Sequence, residues 1–199
     1  MGPNEQLFGV HKDVICKDSD FFRAACSTNW LEGQEKLVRL PEVKPSVFQV
    51  YLDWAYTGIL AVEDAQTPEE DRGRSSSGII DVYLLGDVLG DVKLRNQAMQ
   101  LLNTHVIEHK LPSYHSIRKI FRNTPTNSNL RKWAVDVVIM RYDRDRFAQH
   151  AANYPAEFVA QMAMRLLEIV PVISRNDAKR RLSTAEYFEA EAGAPEPEN

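Results

Sequence analysis

The segment 105–109 reads His-Val-Ile-Glu-His and has the residue types and spacing of a zinc hydrolase. In a helix, His105 and His109 lie four residues apart on one face, where both rings can bind the same metal ion. Glu108 could then take a proton from a metal-bound water. A catalytic zinc also needs a third protein ligand, which no neighbouring pattern identifies. This motif is the sharpest enzymatic hypothesis that the chain offers.

A packing role explains the same histidines more simply. His105 follows Leu101 by four residues and Leu102 by three, so it continues an apolar stripe of the predicted helix. Both histidines fall in the last turns before Pro112, where a cationic ring is favourable against the helix dipole. We therefore predict a protein that is not an enzyme and has no metal or other cofactor, and keep a zinc metallopeptidase as the remote alternative.

The two cysteines, Cys16 and Cys26, show no arrangement for catalysis or metal binding. They lack a CxxC spacing and have apolar neighbours, which indicates packed, reduced thiols in an intracellular protein. The sequence has neither a glycine-rich phosphate loop nor a Gly-x-Ser-x-Gly elbow. No small-molecule substrate is predicted.

The charge distribution argues against a nucleic-acid partner. The chain has 24 basic and 28 acidic residues and a formal charge of -4. Segment 183–199 contains five Glu and no Lys or Arg, so the remainder is close to neutral, whereas phosphate binding normally needs a clustered positive surface. No apolar run approaches the roughly 20 residues that span a bilayer. We expect a cytoplasmic or nuclear protein without a membrane partner.

The candidate residues must be positioned by strands and helices. The patterns in the first forty residues predict elements of both kinds. Segment 36–40 has a period near two, with Leu37 and Arg39 on one side and Val38 and Leu40 on the other, before Pro41 ends the run. Segment 7–10 is short and apolar, so both segments are predicted strands. Between them, the apolar residues predict two short helices around 14–15 and 21–25, separated by residues that favour helix capping.

A long helix over 47–56 is predicted to be central to the core, because it is apolar almost all the way round. Gly58 follows it where a helix carboxyl cap favours glycine. Segment 63–78 is rich in acidic residues, Ser and Gly and predicts a flexible loop. Further helical patterns follow around 80–88, 94–102, 114–121, 130–138 and 158–167.

Five motifs in this order resemble those of a BTB/POZ domain, especially in uncharacterised filamentous-fungal proteins. They are Phe8-Gly9-Val10-His11-Lys12, the run from Ser19 to Ala25, Trp30-Leu31-Glu32-Gly33, Val38-Arg39-Leu40-Pro41 and Tyr56-Thr57-Gly58. Five motifs in order are far more specific than any one of them. The resemblance implies an α+β fold, a small sheet covered by a helical cluster and followed here by additional C-terminal helices. It also implies that His11 is structural and ties a strand to a helix by a hydrogen bond.

The resemblance further implies a protein–protein interaction module. Many BTB proteins are substrate adaptors that dock onto the cullin scaffold of a ubiquitin ligase, and others dimerise within transcription regulators or act as self-associating scaffolds. The hydrophobic-x-Glu docking pattern of the adaptors is matched by Trp30-Leu31-Glu32. An aromatic anchor beside a carboxylate is typical of an interface hot spot. The alternative is that Trp30 covers the edge of the core and Glu32 is solvated.

The domain boundaries follow from these patterns. We expect a BTB/POZ-like domain over 1–111, a helical extension over 112–173 and an acidic, disordered tail over 174–199. The family's first strand has no counterpart here, since only Met1 to Leu7 precede Phe8. Dimerisation by exchange of that strand is therefore not expected, which leaves self-association through another surface open.

Overall fold

Helices provide all the regular secondary structure in the residues that the computed structural model describes, which are 6–27, 37–62, 76–108 and 111–169. They are α1 (Lys12–Ile15), α2 (Asp20–Ala25), α3 (Pro45–Thr57), α4 (Ser77–Val88), α5 (Val92–Glu108), α6 (Tyr114–Asn123), α7 (Asn129–Arg141), α8 (Arg144–His150) and α9 (Ala156–Ile169). A 3-10 turn, Ala151–Asn153, joins α8 to α9.

The two predicted strands are not strands in the described residues. Residues 7–10 and 37–40 have no regular secondary structure. The predicted period of two is still visible in the burial of the side chains, because Val38 and Leu40 pack against the core while Arg39 is exposed. An irregular segment that crosses a core can bury every second side chain without a neighbouring strand, so this pattern alone does not establish a sheet. The sheet of the predicted α+β fold is therefore not seen in the part of the chain described here.

Helix α3 is the central element that the sequence predicts. Pro45 occupies its first turn, where a missing backbone N–H costs nothing, and Gly58 ends it with a left-handed φ of 74°. The buried residues of α3 are Phe48, Tyr51, Leu52 and Trp54. The predictions of a buried helix and a glycine cap are both confirmed.

Helices α4 and α5 pack along each other, and α4 also packs against α3. The turn between them contains Gly90, whose φ of 64° suits glycine. A Cβ on Gly86 would lie 2.9 Å from the Cγ of Arg95, so the two helices approach closely at this glycine. Leu94, Ala98 and Leu102 are completely buried and confirm the apolar stripe predicted for α5.

The C-terminal helices extend the same core. Helix α6 contacts α4 and α7, and α9 packs along α7. Phe121 of α6 meets Phe158 of α9 edge to face, with ring centroids 5.4 Å apart. The buried apolar residues of α1 to α7 and α9 belong to one hydrophobic cluster. Helix α8 was not predicted, because its segment 144–150 is mostly polar and shows no apolar stripe.

Candidate interaction surface

The predicted docking residues Trp30, Leu31 and Glu32 lie outside the described residues, in segment 28–36. The structure describes the helix that precedes these residues. Helix α2 ends at Ala25, five residues before the first docking residue.

The position of α2 is fixed by its first turn. The hydroxyl of Ser19, completely buried, accepts a hydrogen bond from the N–H of Phe22 (3.2 Å) and donates one to the carbonyl of Leu89 (2.7 Å). The N–H of Phe21 donates to the same carbonyl at 3.1 Å. Since Leu89 lies in the turn between α4 and α5, α2 is held against that turn. The side chain of Phe22 stacks on Tyr51 with ring centroids 6.1 Å apart, which anchors α2 on α3 as well.

His11 has the structural role that the sequence predicts, with one difference. Its backbone N–H donates to the hydroxyl of Tyr56 at 2.9 Å, and its Nδ1 lies 2.8 Å from the same oxygen. The Tyr56 hydroxyl can therefore accept one hydrogen bond and donate the other. The link joins α3 to the irregular segment before α1, where the prediction had a strand.

A cleft of about 630 Å³ lies between α1, the end of α3 and the first turns of α5. Its aromatic wall includes Trp54, whose Nε1–H donates to the side-chain oxygen of Gln97 at 2.5 Å. At its rim the ammonium of Lys93 pairs with the carboxylate of Asp18 at 2.6 Å. The cleft is thus lined by charged, amide and aromatic side chains.

The most deeply buried charge at this cleft is Asp91, which is 1% exposed. Its Oδ1 accepts a hydrogen bond from the N–H of Leu94 at 2.9 Å and so caps α5. Burial raises the pKa of Asp91, against the lowering effect of that hydrogen bond and of Lys93. Burial, followed by the charge of Asp91, likewise raises the pKa of Tyr51.

The metal-binding hypothesis receives no support from the described part of the chain. His105 is 6% exposed and continues the buried stripe of α5, as the packing alternative expects. The side chain of Glu108 and the whole of His109 are outside the described residues. Among the residues described, no group of three His, Cys, Asp or Glu side chains could hold a metal ion.

Comparison with known protein families matches residues 3–75 to the BTB/POZ domain. This chain carries a BTB/POZ domain. The match includes α1, α2 and α3 and also the predicted docking residues, whereas α4 and α5 lie beyond it. BTB domains are protein–protein interaction modules that mediate binding and dimerisation and are typically not enzymes. No described helix is both long and apolar enough to cross a membrane.

The sequence patterns did not predict this cleft. Its lining comes from three separate segments, represented by Lys17, Tyr51 and Lys93, which only the fold brings together. One local signal was available, since Asp91 follows a glycine and precedes an apolar helical pattern, as capping residues do.

Proposed function

We propose that this BTB protein is a non-enzymatic adaptor that docks onto a cullin scaffold through Trp30, Leu31 and Glu32. The observation that carries the proposal is the BTB match over residues 3–75, which includes a hydrophobic-x-Glu pattern of the kind that adaptors use. The aromatic ring would supply apolar contact area and the carboxylate a charged partner for a basic group.

The helix before this segment is held firmly, which supports the proposal. Helix α2 is held at its N-terminus by Ser19 and on its inner face by Phe22, which is 2% exposed. A rigid helix immediately upstream reduces the conformational entropy that docking would cost.

The test is a binding titration of the purified chain with the N-terminal domain of a cullin. Trp30→Ala and Glu32→Lys should each weaken binding at least about tenfold, since hot-spot residues contribute upwards of 1.4 kcal/mol. Glu42→Lys makes the same charge change at an exposed position outside the triad and should bind as the parent protein does. Unchanged affinity in both triad variants would eliminate the proposed docking site.

Self-association, as a scaffold or within a transcription regulator, is the second candidate. It is favoured by the exposed apolar side chains of α9, among which Met164 is 63% and Leu167 is 71% exposed. Light scattering over a range of protein concentrations tests it, with Leu167→Glu as the variant that should dissociate the assembly. A concentration-independent monomer would exclude this candidate.

A further inference from the structure

The two cysteines of the chain meet at the corner between α1 and α2. Cys16 is the residue that follows α1, and Cys26 is the residue that follows α2. The thiol of Cys16 donates to the carbonyl of Phe22 at 3.4 Å, and the backbone N–H of Cys26 donates to the same oxygen at 2.9 Å. One carbonyl oxygen thus holds both cysteines close to each other, ten residues apart in sequence.

Two cationic side chains hold this corner together. The ammonium of Lys12 donates to the carbonyl of Cys26 at 2.9 Å. The guanidinium of Arg23 donates to the carbonyls of Cys16 and Lys17 at 3.0 and 2.9 Å. The ends of α1 and α2 are therefore tied to each other by the chain itself, which keeps the two thiols from separating.

We propose that Cys16 and Cys26 are an oxidisable thiol pair that forms an intrachain disulfide. Each thiol loses its S–H bond, one S–S bond forms, and two protons and two electrons pass to a thiol oxidant such as diamide, whose N=N bond becomes an N–N bond between two N–H groups. Both cysteines are partly exposed, so a small oxidant can reach them. The disulfide closes the loop that contains α2.

The surroundings of Cys16 lower the fraction of its reactive thiolate. Burial, followed by the hydrogen bond with the Cys26 side chain, raises the pKa of Cys16 to about 11. Because the thiolate is the species that reacts, the raised pKa of Cys16 slows its oxidation and calls for an excess of a thiol oxidant such as diamide. This property is independent of cullin docking.

The experiment treats the native full-length chain with diamide and follows free thiols, intact mass and migration on a non-reducing gel. The expected product is a monomer that has lost the mass of two hydrogen atoms and whose two free thiols have fallen to none. Trypsin cleaves at Lys17 and Arg23, so the disulfide should join two peptides that separate after reduction. Closing so short a loop should raise the thermal midpoint by on the order of 5 °C.

Cys16→Ser and Cys26→Ser are matched controls, because each keeps one thiol and cannot form the intrachain bond. Thiols that persist in the native protein at excess diamide, or disulfides that join only separate chains, would overturn the proposal. A disulfide that forms only after urea is added would also overturn it, since the pairing would then not belong to the folded corner.

Discussion

At the scale of single residues, Arg131 is a buried side chain that links three of the C-terminal helices. It is 5% exposed, and its Nη2 donates to the carbonyls of Phe121 and Thr124 at 2.6 and 2.5 Å. Its Nη1 pairs with the carboxylate of Glu157 at 2.6 Å, so one guanidinium joins α6, α7 and α9. Arg131→Met keeps the apolar stem but leaves these carbonyls without that donor. We expect a loss of about 2–4 kcal/mol in the free energy of unfolding, measured by urea denaturation.

Arg165 is the matched control for that substitution. It also joins two helices, through Asp136 at 2.8 Å, and also pairs with a glutamate, Glu168, but its side chain is 43% exposed. Because solvent screens an exposed pair, Arg165→Met should leave the urea midpoint almost unchanged. Equal effects of the two substitutions would show that burial does not determine the contribution of these arginines.

The raised pKa of Asp91 predicts how the stability of the protein changes with pH. Its pKa in the folded protein is raised above 3.8 by burial, so the stability that its neutral form contributes is present below pH 3.8 and is lost as pH rises through the raised pKa. Asp91→Asn keeps an oxygen that can cap α5 through Leu94 and removes the buried charge. We expect the variant to gain stability relative to the parent as pH rises from about 4 to 7 in urea titrations. A constant difference across this range would contradict the assigned cause.

The sequence predicted the roles of residues whose contacts are close in sequence or whose motif is specific. The hydrogen-bonding role of His11 was predicted from its motif, whereas the buried role of Arg131 was not. A basic residue in a helix ordinarily indicates a solvated face, and the carbonyls that Arg131 satisfies belong to α6 and the turn after it. The docking triad remains a prediction, because its residues lie outside the described part of the chain.

At the scale of elements, the backbone conformation at the end of α3 favours glycine. Gly58 has a φ of 74°, and a Cβ there would meet no other part of the protein within 4 Å, so the cost of a side chain comes from its own backbone conformation. Gly58→Ala should lower the free energy of unfolding by about 1 kcal/mol. Gly9→Ala is the control, since Gly9 has the same open surroundings without a positive φ, and it should be close to neutral. If both variants lost the same free energy of unfolding, the positive φ of Gly58 could not be the cause.

The elements also show where a pattern is ambiguous. The buried stripe of α5 was predicted correctly because a helix fixes the spacing of its contacts internally. A strand depends on a partner strand that the local sequence does not reveal. Val38 and Leu40 pack against the core, but the described residues 37–40 do not form a strand. Helix α8 has no buried residue and begins with an Asp143 cap, so capping rather than apolar spacing was the available signal.

At the scale of the whole molecule, contacts between side chains join the C-terminal helices to the rest. Lys119 of α6 pairs with Asp81 of α4 at 2.7 Å and donates to the hydroxyl of Ser77 at 3.1 Å. On α7, the Nε1–H of Trp133 donates to the side-chain oxygen of Asn103 of α5 at 2.9 Å. These pairs lie around a hydrophobic cluster shared by both parts, so α6 and α7 cover residues that α4 and α5 would otherwise expose.

Truncation tests whether the sequence-based boundary at residue 111 separates two folding units. Removing 112–199 would take α6 away from the face of α4 that it contacts and would uncover part of the shared hydrophobic cluster. We therefore expect the 1–111 fragment to lose its cooperative thermal transition and to aggregate, because an uncovered apolar face of this kind is an association site. Removing 174–199 alone is the control, and the acidic composition of that segment predicts an unchanged thermal midpoint. A sharp, reversible transition in the 1–111 fragment would instead show that the first part folds on its own and that the later helices are an annex.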